Sequence, residues 1–137
     1  MNTAIWGPPL WRLLHSASFA TQLSNTLEPF MTSLQHIMPC RYCRDSCCKF
    51  IDEMPPMSDG QLAQWMYDLH GRVNAKLGVP QPTFEQVEKR HVVRPTQWSA
   101  ADVWDLIAIF GMNYTDENRE WYRQWWHTLI SIVELGD

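Results

Sequence analysis

The chain has no apolar run long enough to cross a bilayer as a helix, which excludes a helical membrane span. Positive charge is not in excess either. Across 137 residues the formal net charge is −4, with Lys and Arg scattered, so nucleic acid is not an expected partner. No alternating β-branched stretch is long enough to build a sheet. The stretch from Met1 to Ile5 lacks a basic segment leading into an apolar one, so the expectation is no secretory signal and a cytoplasmic protein. Cysteine is confined as well: all four residues lie between 40 and 48 and cannot staple distant parts of the chain.

Apolar residues make up 45% of the chain and charged residues 19%, which suits a single buried core. Eight tryptophans are more than a chain this size needs. Most read as bulky core filler, but ligand pockets are lined by aromatic side chains, so a Trp near the thiols carries more weight.

The pattern is helical almost throughout. Pro8-Pro9 is expected to open a first helix running to about Gln22. Leu10, Leu13, Leu14 and Ala17 form its core stripe, while Trp11, His15 and Phe19 share another face at i, i+4, i+8. A second helix is expected near Thr26 to Ile37, with Phe30, Leu34 and Ile37 inward. A third runs from Cys40 to about Met54, before Pro55-Pro56. Ser58 with Gln61 signals a capping box for a fourth, which stops at Gly78 and carries an apolar stripe of Leu62, Trp65, Met66, Leu69, Val73 and Leu77. Thr83 with Gln86 opens a short fifth helix to about Lys89, followed by a loop from Val92 to Gln97. Ser99 with Asp102 opens another helix to Phe110, and Asp116 starts a last one to about Glu134. Asn113-Tyr114-Thr115 matches a glycosylation sequon but reads as a turn. The expected fold is all-α: a four-helix bundle with a short fifth helix and a helical C-terminal extension, divided as residues 1–94 and 95–137.

Chemistry concentrates at Cys40-Arg41-Tyr42-Cys43. Pro39 cannot sit inside a preceding helix, so this dithiol falls at a helix start, where free backbone N–H groups and the positive end of the helix dipole favour a thiolate. Arg41 and Arg44 add positive charge. Such a pair can cycle through a disulfide or form half of a zinc site. The zinc reading would use Cys40, Cys43, and Cys47 or Cys48 with His36, although structural zinc sites draw their ligands from two separated knuckles. Cys47 stands at i+4 from Cys43, on the same face, where it reads either as a buried small hydrophobe, the favoured reading, or as a thiol that exchanges with the active pair. Adjacent helical cysteines point apart, which argues against a Cys47–Cys48 bond.

Two further segments accompany the dithiol. One is Trp6-Gly7-Pro8-Pro9-Leu10-Trp11-Arg12-Leu13-Leu14-His15; the other runs from His70 through Val73, Asn74 and Lys76 to Leu77-Gly78, with His70 and Asn74 one helical turn apart. In this order, W-x-x-L-H, C-x-x-C and H-x-x-V-N-x-x-L-G resemble the Erv/ALR family of FAD-linked sulfhydryl oxidases over roughly residues 6 to 91. The resemblance implies a four-helix bundle holding FAD, usually a homodimer. It also implies oxidation of a protein dithiol, with oxygen reduced to hydrogen peroxide. Cys40 and Cys43 would be catalytic, Cys40 exchanging with substrate and Cys43 facing the flavin. Gly7, Trp11, His15, Phe19, Cys43, His70, Val73, Asn74 and Leu77 would contact FAD, with Lys76 a phosphate partner. No metal and no membrane are implied.

The chain departs from the family pattern at Gly71, where Asn commonly follows the motif His, at Val79 before Pro80, and at His91, where Trp is common. It has no distal shuttle cysteine pair, which resembles the short sulfhydryl oxidases of large DNA viruses and would extend the expected location to host-cell cytoplasm and virion. Substrate would then reach Cys40 directly, and a thioredoxin-like C-x-x-C protein is the expected partner. A non-catalytic relative that keeps the fold and uses its Trp-rich C-terminal part for assembly is the third reading.

Overall fold

A computed structural model of the chain describes residues 3–20, 24–55, 57 and 61–136. Among these residues there is no strand, and the chain is all-α. The helices are α1 (Thr3–Phe19), α2 (Ser24–Ile37), α3 (Arg41–Glu53), α4 (Leu62–Leu77), α5 (Phe84–Val93), α6 (Ala100–Gly111) and α7 (Arg119–Gly136), with a 3₁₀ turn at Asp116–Asn118 ahead of α7. Helix α1 packs on α2, α2 on α3, α3 on α4 and α4 back on α1, which closes a four-helix ring. Helix α7 lies along α2 and touches α1, while α6 lies along α1. None of the described helices is long and apolar enough to cross a membrane.

The expected core stripes point inward: Leu13, Phe30, Leu34 and Met66 are fully buried, joined by Phe110 of α6 and Ile132 of α7. The extension therefore contributes to the same core cluster as the bundle. Arg12 of α1 also donates Nε and Nη2 hydrogen bonds of 3.0 and 2.6 Å to the Asp102 carboxylate of α6. Asp102 serves α6 as well, because its Oδ2 accepts from the Ser99 N–H in a complete capping box.

Several boundaries differ from expectation. Helix α1 starts at Thr3, so Pro8 and Pro9 lie inside it. Two intrahelical bonds are lost there, but the opened turn lies at the surface beside exposed Ile5. It is anchored by buried Trp6, whose ring meets Phe110 edge-on at 5.7 Å. The expected end of this helix at Gln22 lies outside the described residues, as does the Ser58 cap of α4; Gln61 is the N-cap residue of α4. Helix α5 runs past Lys89 to Val93, since nothing breaks it until Pro95, which forces Arg94 into extended backbone (φ −142°, ψ 95°). The last α-helix begins at Arg119 rather than Asp116, after the 3₁₀ turn. Asn113 lies in the turn after α6. Gly78 ends α4 in the left-handed region at φ 70°, and its N–H reaches the Ala75 and Asn74 carbonyls.

Candidate active site

Cys40 is the N-cap of α3, in extended backbone, and its Sγ accepts a 3.3 Å hydrogen bond from the Cys43 N–H. The loop before it is held by Arg44, whose guanidinium donates to the Met38 carbonyl. Both thiols are free and half-buried. Their environments push them apart. Burial raises the Cys40 thiol, but hydrogen bonds from Cys43 and from the Tyr42 backbone outweigh it and hold the thiol below its ordinary value. Burial pushes Cys43 up to about 12, reinforced by its hydrogen bond to Cys40 and by the Cys40 charge, while Lys76 pulls the other way. Of the two, Cys40 is the sulfur that ionises first.

Cys43 faces a cleft of about 610 Å³ between the N-terminal half of α1, α3 and the C-terminal half of α4. Gly7, Trp11, His70, Val73, Asn74, Lys76 and Leu77 all line this cleft; Cys40 does not. Val73 and Leu77 are therefore not core residues as the α4 stripe suggested. Leu77 is 63% exposed. Among the described residues, a Cβ built on Gly7 would meet nothing within 4 Å beyond its own helix, and Gly7 lines the cleft. Lys76 donates through Nζ to Ser46 Oγ, one turn beyond Cys43 on α3.

The Trp11/His15/Phe19 strip divides among three surroundings. The Trp11 ring stacks on His70 with centroids 3.8 Å apart and an interplanar angle of 7°. His15 is buried behind that stack and shares a 2.8 Å hydrogen bond between its Nε2 and His70 Nδ1. Phe19 lies outside the cleft: it stacks on His91 at 4.6 Å and lines a second hollow of about 450 Å³ with Glu88, Pro95 and Trp98. His91 thus makes a ring stack of its own, and its Nδ1 lies 3.0 Å from the Pro95 carbonyl.

Both members of the histidine pair are neutral at pH 7. Burial drives His15 down to about 3, helped by the charges of His70, His91 and Arg90, and burial takes His70 to about 4. His15 Nδ1 is buried and has no hydrogen-bond partner among the described residues. Were it protonated it would be an orphaned donor, the costlier state, so the His15 proton sits on Nε2 and is donated to His70 Nδ1. His70 then carries its own proton on Nε2.

Sequence reasoning passed over two contributors. Trp6 lines the cleft while counting as core, and its Nε1–H is buried with no hydrogen-bond partner among the described residues. Ser46 lies on the Cys43 face at i+3, a spacing that could have marked it. The remaining cysteines separate: Cys47 is buried and pushed up to about 12 by desolvation, whereas Cys48 points its Sγ toward the Gln35 carbonyl at 3.8 Å. His36 stacks on Trp121 of α7 at 4.0 Å. Among the described residues, no three His, Cys, Asp or Glu side chains converge as a metal site, which leaves the zinc reading without a ligand set.

The model of the Erv1/Alr family matches residues 8–92. The chain belongs to the Erv1/Alr family. It is also 34% identical over 92 residues to the mitochondrial FAD-linked sulfhydryl oxidase ERV1 of Saccharomyces cerevisiae, a match covering 61% of this chain and 49% of that protein. The chain thus spans about half the length of the curated relative it matches. No solved structure matches it. As an Erv1/Alr chain it carries the dithiol, the α1 strip and the α4 strip within the matched segment, which ends at the last turn of α5; α6 and α7 lie beyond it.

Proposed function

We propose that this protein is an FAD-dependent sulfhydryl oxidase that converts protein dithiols to disulfides and reduces oxygen to hydrogen peroxide. One observation carries the reading: of two thiols three residues apart, Cys43 lines an aromatic-walled cleft and Cys40 does not. Family membership and the name of the yeast relative support the same chemistry.

The residues fit the cofactor. The cleft volume falls within the range of small-molecule sites, about 300–1,000 Å³. Its wall offers the Trp11–His70 stack and the Trp6 N–H, which has no partner among the described residues. The second hollow at Phe19 lies eight residues further along α1, roughly 12 Å at the helical rise, and suits the far end of an extended dinucleotide. FAD, when bound, supplies the two-electron acceptor for the dithiol and the route to oxygen.

In the oxidised enzyme a substrate thiolate attacks Cys40 Sγ, the Cys40–Cys43 bond breaks, and Cys43 leaves with the electron pair toward the cleft. A second substrate thiol displaces Cys40 from the mixed disulfide; the substrate has then lost two electrons and two protons, and the dithiol is reduced. Lys76 lies where it can offset negative charge on Cys43, and the helix N-terminus does the same for Cys40. The partner is a thiol-bearing protein. We favour one with a thioredoxin-like C-x-x-C, since Tyr42, 81% exposed between the cysteines, offers a flat apolar landing next to Cys40. A homodimer is part of the proposal, supported by family membership and by exposed Trp104 on α6, and light scattering tests it.

Purified protein should be yellow, release FAD on denaturation and consume oxygen when dithiothreitol is added. Colourless protein with stoichiometric zinc would refute the oxidase. Yellow protein without thiol-dependent oxygen uptake would favour the non-catalytic reading instead.

A further inference from the structure

Asn74 lines the cleft and is buried, so which end of its amide the cleft receives matters. The end is decided by Gln81, a residue in the loop after α4 that lines neither hollow. Gln81 Nε2 lies 3.2 Å from the Tyr67 carbonyl, and a carbonyl can only accept. The Gln81 amide is thereby oriented, and its Oε1 faces Asn74, where it accepts a 3.2 Å hydrogen bond from Nδ2. Among the described residues no donor reaches Asn74 Oδ1.

Gly71 makes this possible. A Cβ at position 71 would stand 3.0 Å from both Gln81 Nε2 and Oε1, tighter than most Cβ contacts, so a side chain there would press the carboxamide aside by a few tenths of an ångström. The loop has an independent tie, because Tyr67 Oη donates to the Pro82 carbonyl at 2.6 Å. Gln81 is therefore not needed merely to hold the loop down.

We propose that Gln81 is a positioning residue: it locks the Asn74 amide so that its oxygen faces the cleft, and the ligand group meeting it is an N–H donor. One turn earlier on α4, the His15 tautomer assigned from its unpartnered Nδ1 makes His70 Nδ1 the acceptor and leaves the His70 proton on Nε2, so the strip offers a donor and an acceptor in fixed order. A ligand that pairs with it must offer the reverse order. The identity of the ligand rests on the FAD reading; the lock does not.

The experiment is NMR of the ¹⁵N-labelled full chain, without and with FAD, together with FAD titration of the Gln81→Leu variant. In the FAD-free chain, the Asn74 side-chain NH₂ protons should show cross-peaks to Gln81, and Gln81→Leu should abolish them. In the loaded chain, the same protons should keep their Gln81 contacts and show none to FAD. The Gln81→Leu change should weaken FAD binding roughly five- to tenfold, with its melting temperature checked separately. Gly71→Ala, which crowds the same carboxamide, should weaken FAD binding by a smaller factor. Missing Asn74–Gln81 cross-peaks, Asn74 NH₂ contacts to bound FAD, or unchanged FAD affinity in Gln81→Leu would each overturn the proposal. An unmodified chain that takes up no FAD would instead overturn the FAD reading, and the FAD-free spectra would still decide the lock.

Discussion

Cys40 Sγ accepts the Cys43 backbone N–H at 3.3 Å, so a single sulfur both caps α3 and forms half of the dithiol. The two duties respond differently to substitution. Serine keeps the cap and removes the redox sulfur, whereas alanine removes both. Cys40→Ser should leave stability near that of the unmodified protein and abolish dithiol oxidation. Cys40→Ala should also lose about 1 kcal/mol of unfolding free energy. Urea melts of the two variants measure the cap; equal stabilities would remove it from the account.

Alkylation should separate the sulfurs. Cys40 is held below the ordinary thiol value, while burial pushes Cys43 and Cys47 up to about 12. A reduced protein treated with iodoacetamide near neutral pH should be modified at Cys40 first, as read by peptide mass spectrometry. Earlier labelling of Cys43 would contradict the electrostatic order.

Lys76 tests the field at Cys43. In a Cys40→Ser background, Lys76→Met should slow alkylation of Cys43 roughly threefold at fixed pH, a modest effect because the lysine is solvent-exposed. Lys76→Arg should restore the rate. If Met and Arg behave alike, Lys76 does not act on the thiol through its charge.

The neutral histidine pair makes stability depend on pH. Folded-state values of about 3 for His15 and about 4 for His70 lie below the ordinary 6.5, so between these limits the unfolded chain binds more protons. This contribution is fully present above 6.5 and is lost as pH falls through the window toward 4. Denaturant midpoints should drop from pH 7 to pH 5, and the ring protons of both residues should not titrate above pH 5. A normal titration of either near 6.5 would contradict the buried pair.

Phe110 links the extension to the cleft. Its ring meets Trp6 edge-on and stacks on Trp125 of α7 at 5.3 Å. Phe110→Ala should cost about 3–5 kcal/mol and loosen a cleft wall from outside the matched segment. Unfolding free energy by denaturant, with FAD affinity measured in parallel, checks both effects.

Much of this was legible along the chain because its physics is local. Capping at Thr83/Gln86 and Ser99/Asp102 involves groups three residues apart, and both boxes form. The helix start at Cys40 and the stop at Gly78 follow from proline and glycine backbone limits. Periodicity also identified the buried face of α1 and α2. It could not say what covers each face. Val73 and Leu77 continue the apolar stripe of α4, yet line the cleft between α1, α3 and α4. Trp11, His15 and Phe19 share a face, yet one lines the cleft, one is buried and one lines the second hollow.

The sequence by itself determined the all-α fold, the caps of α5 and α6, the place of the dithiol at a helix start and the three ordered motifs, since each depends on neighbours within a turn or two. Only the tertiary structure decided that Cys43 and not Cys40 faces the cleft, that His15 pairs with His70, and that Gln81 reaches Asn74 over Gly71. Those relations depend on which surfaces meet in space, and spacing along a single helix carries no information about its partner.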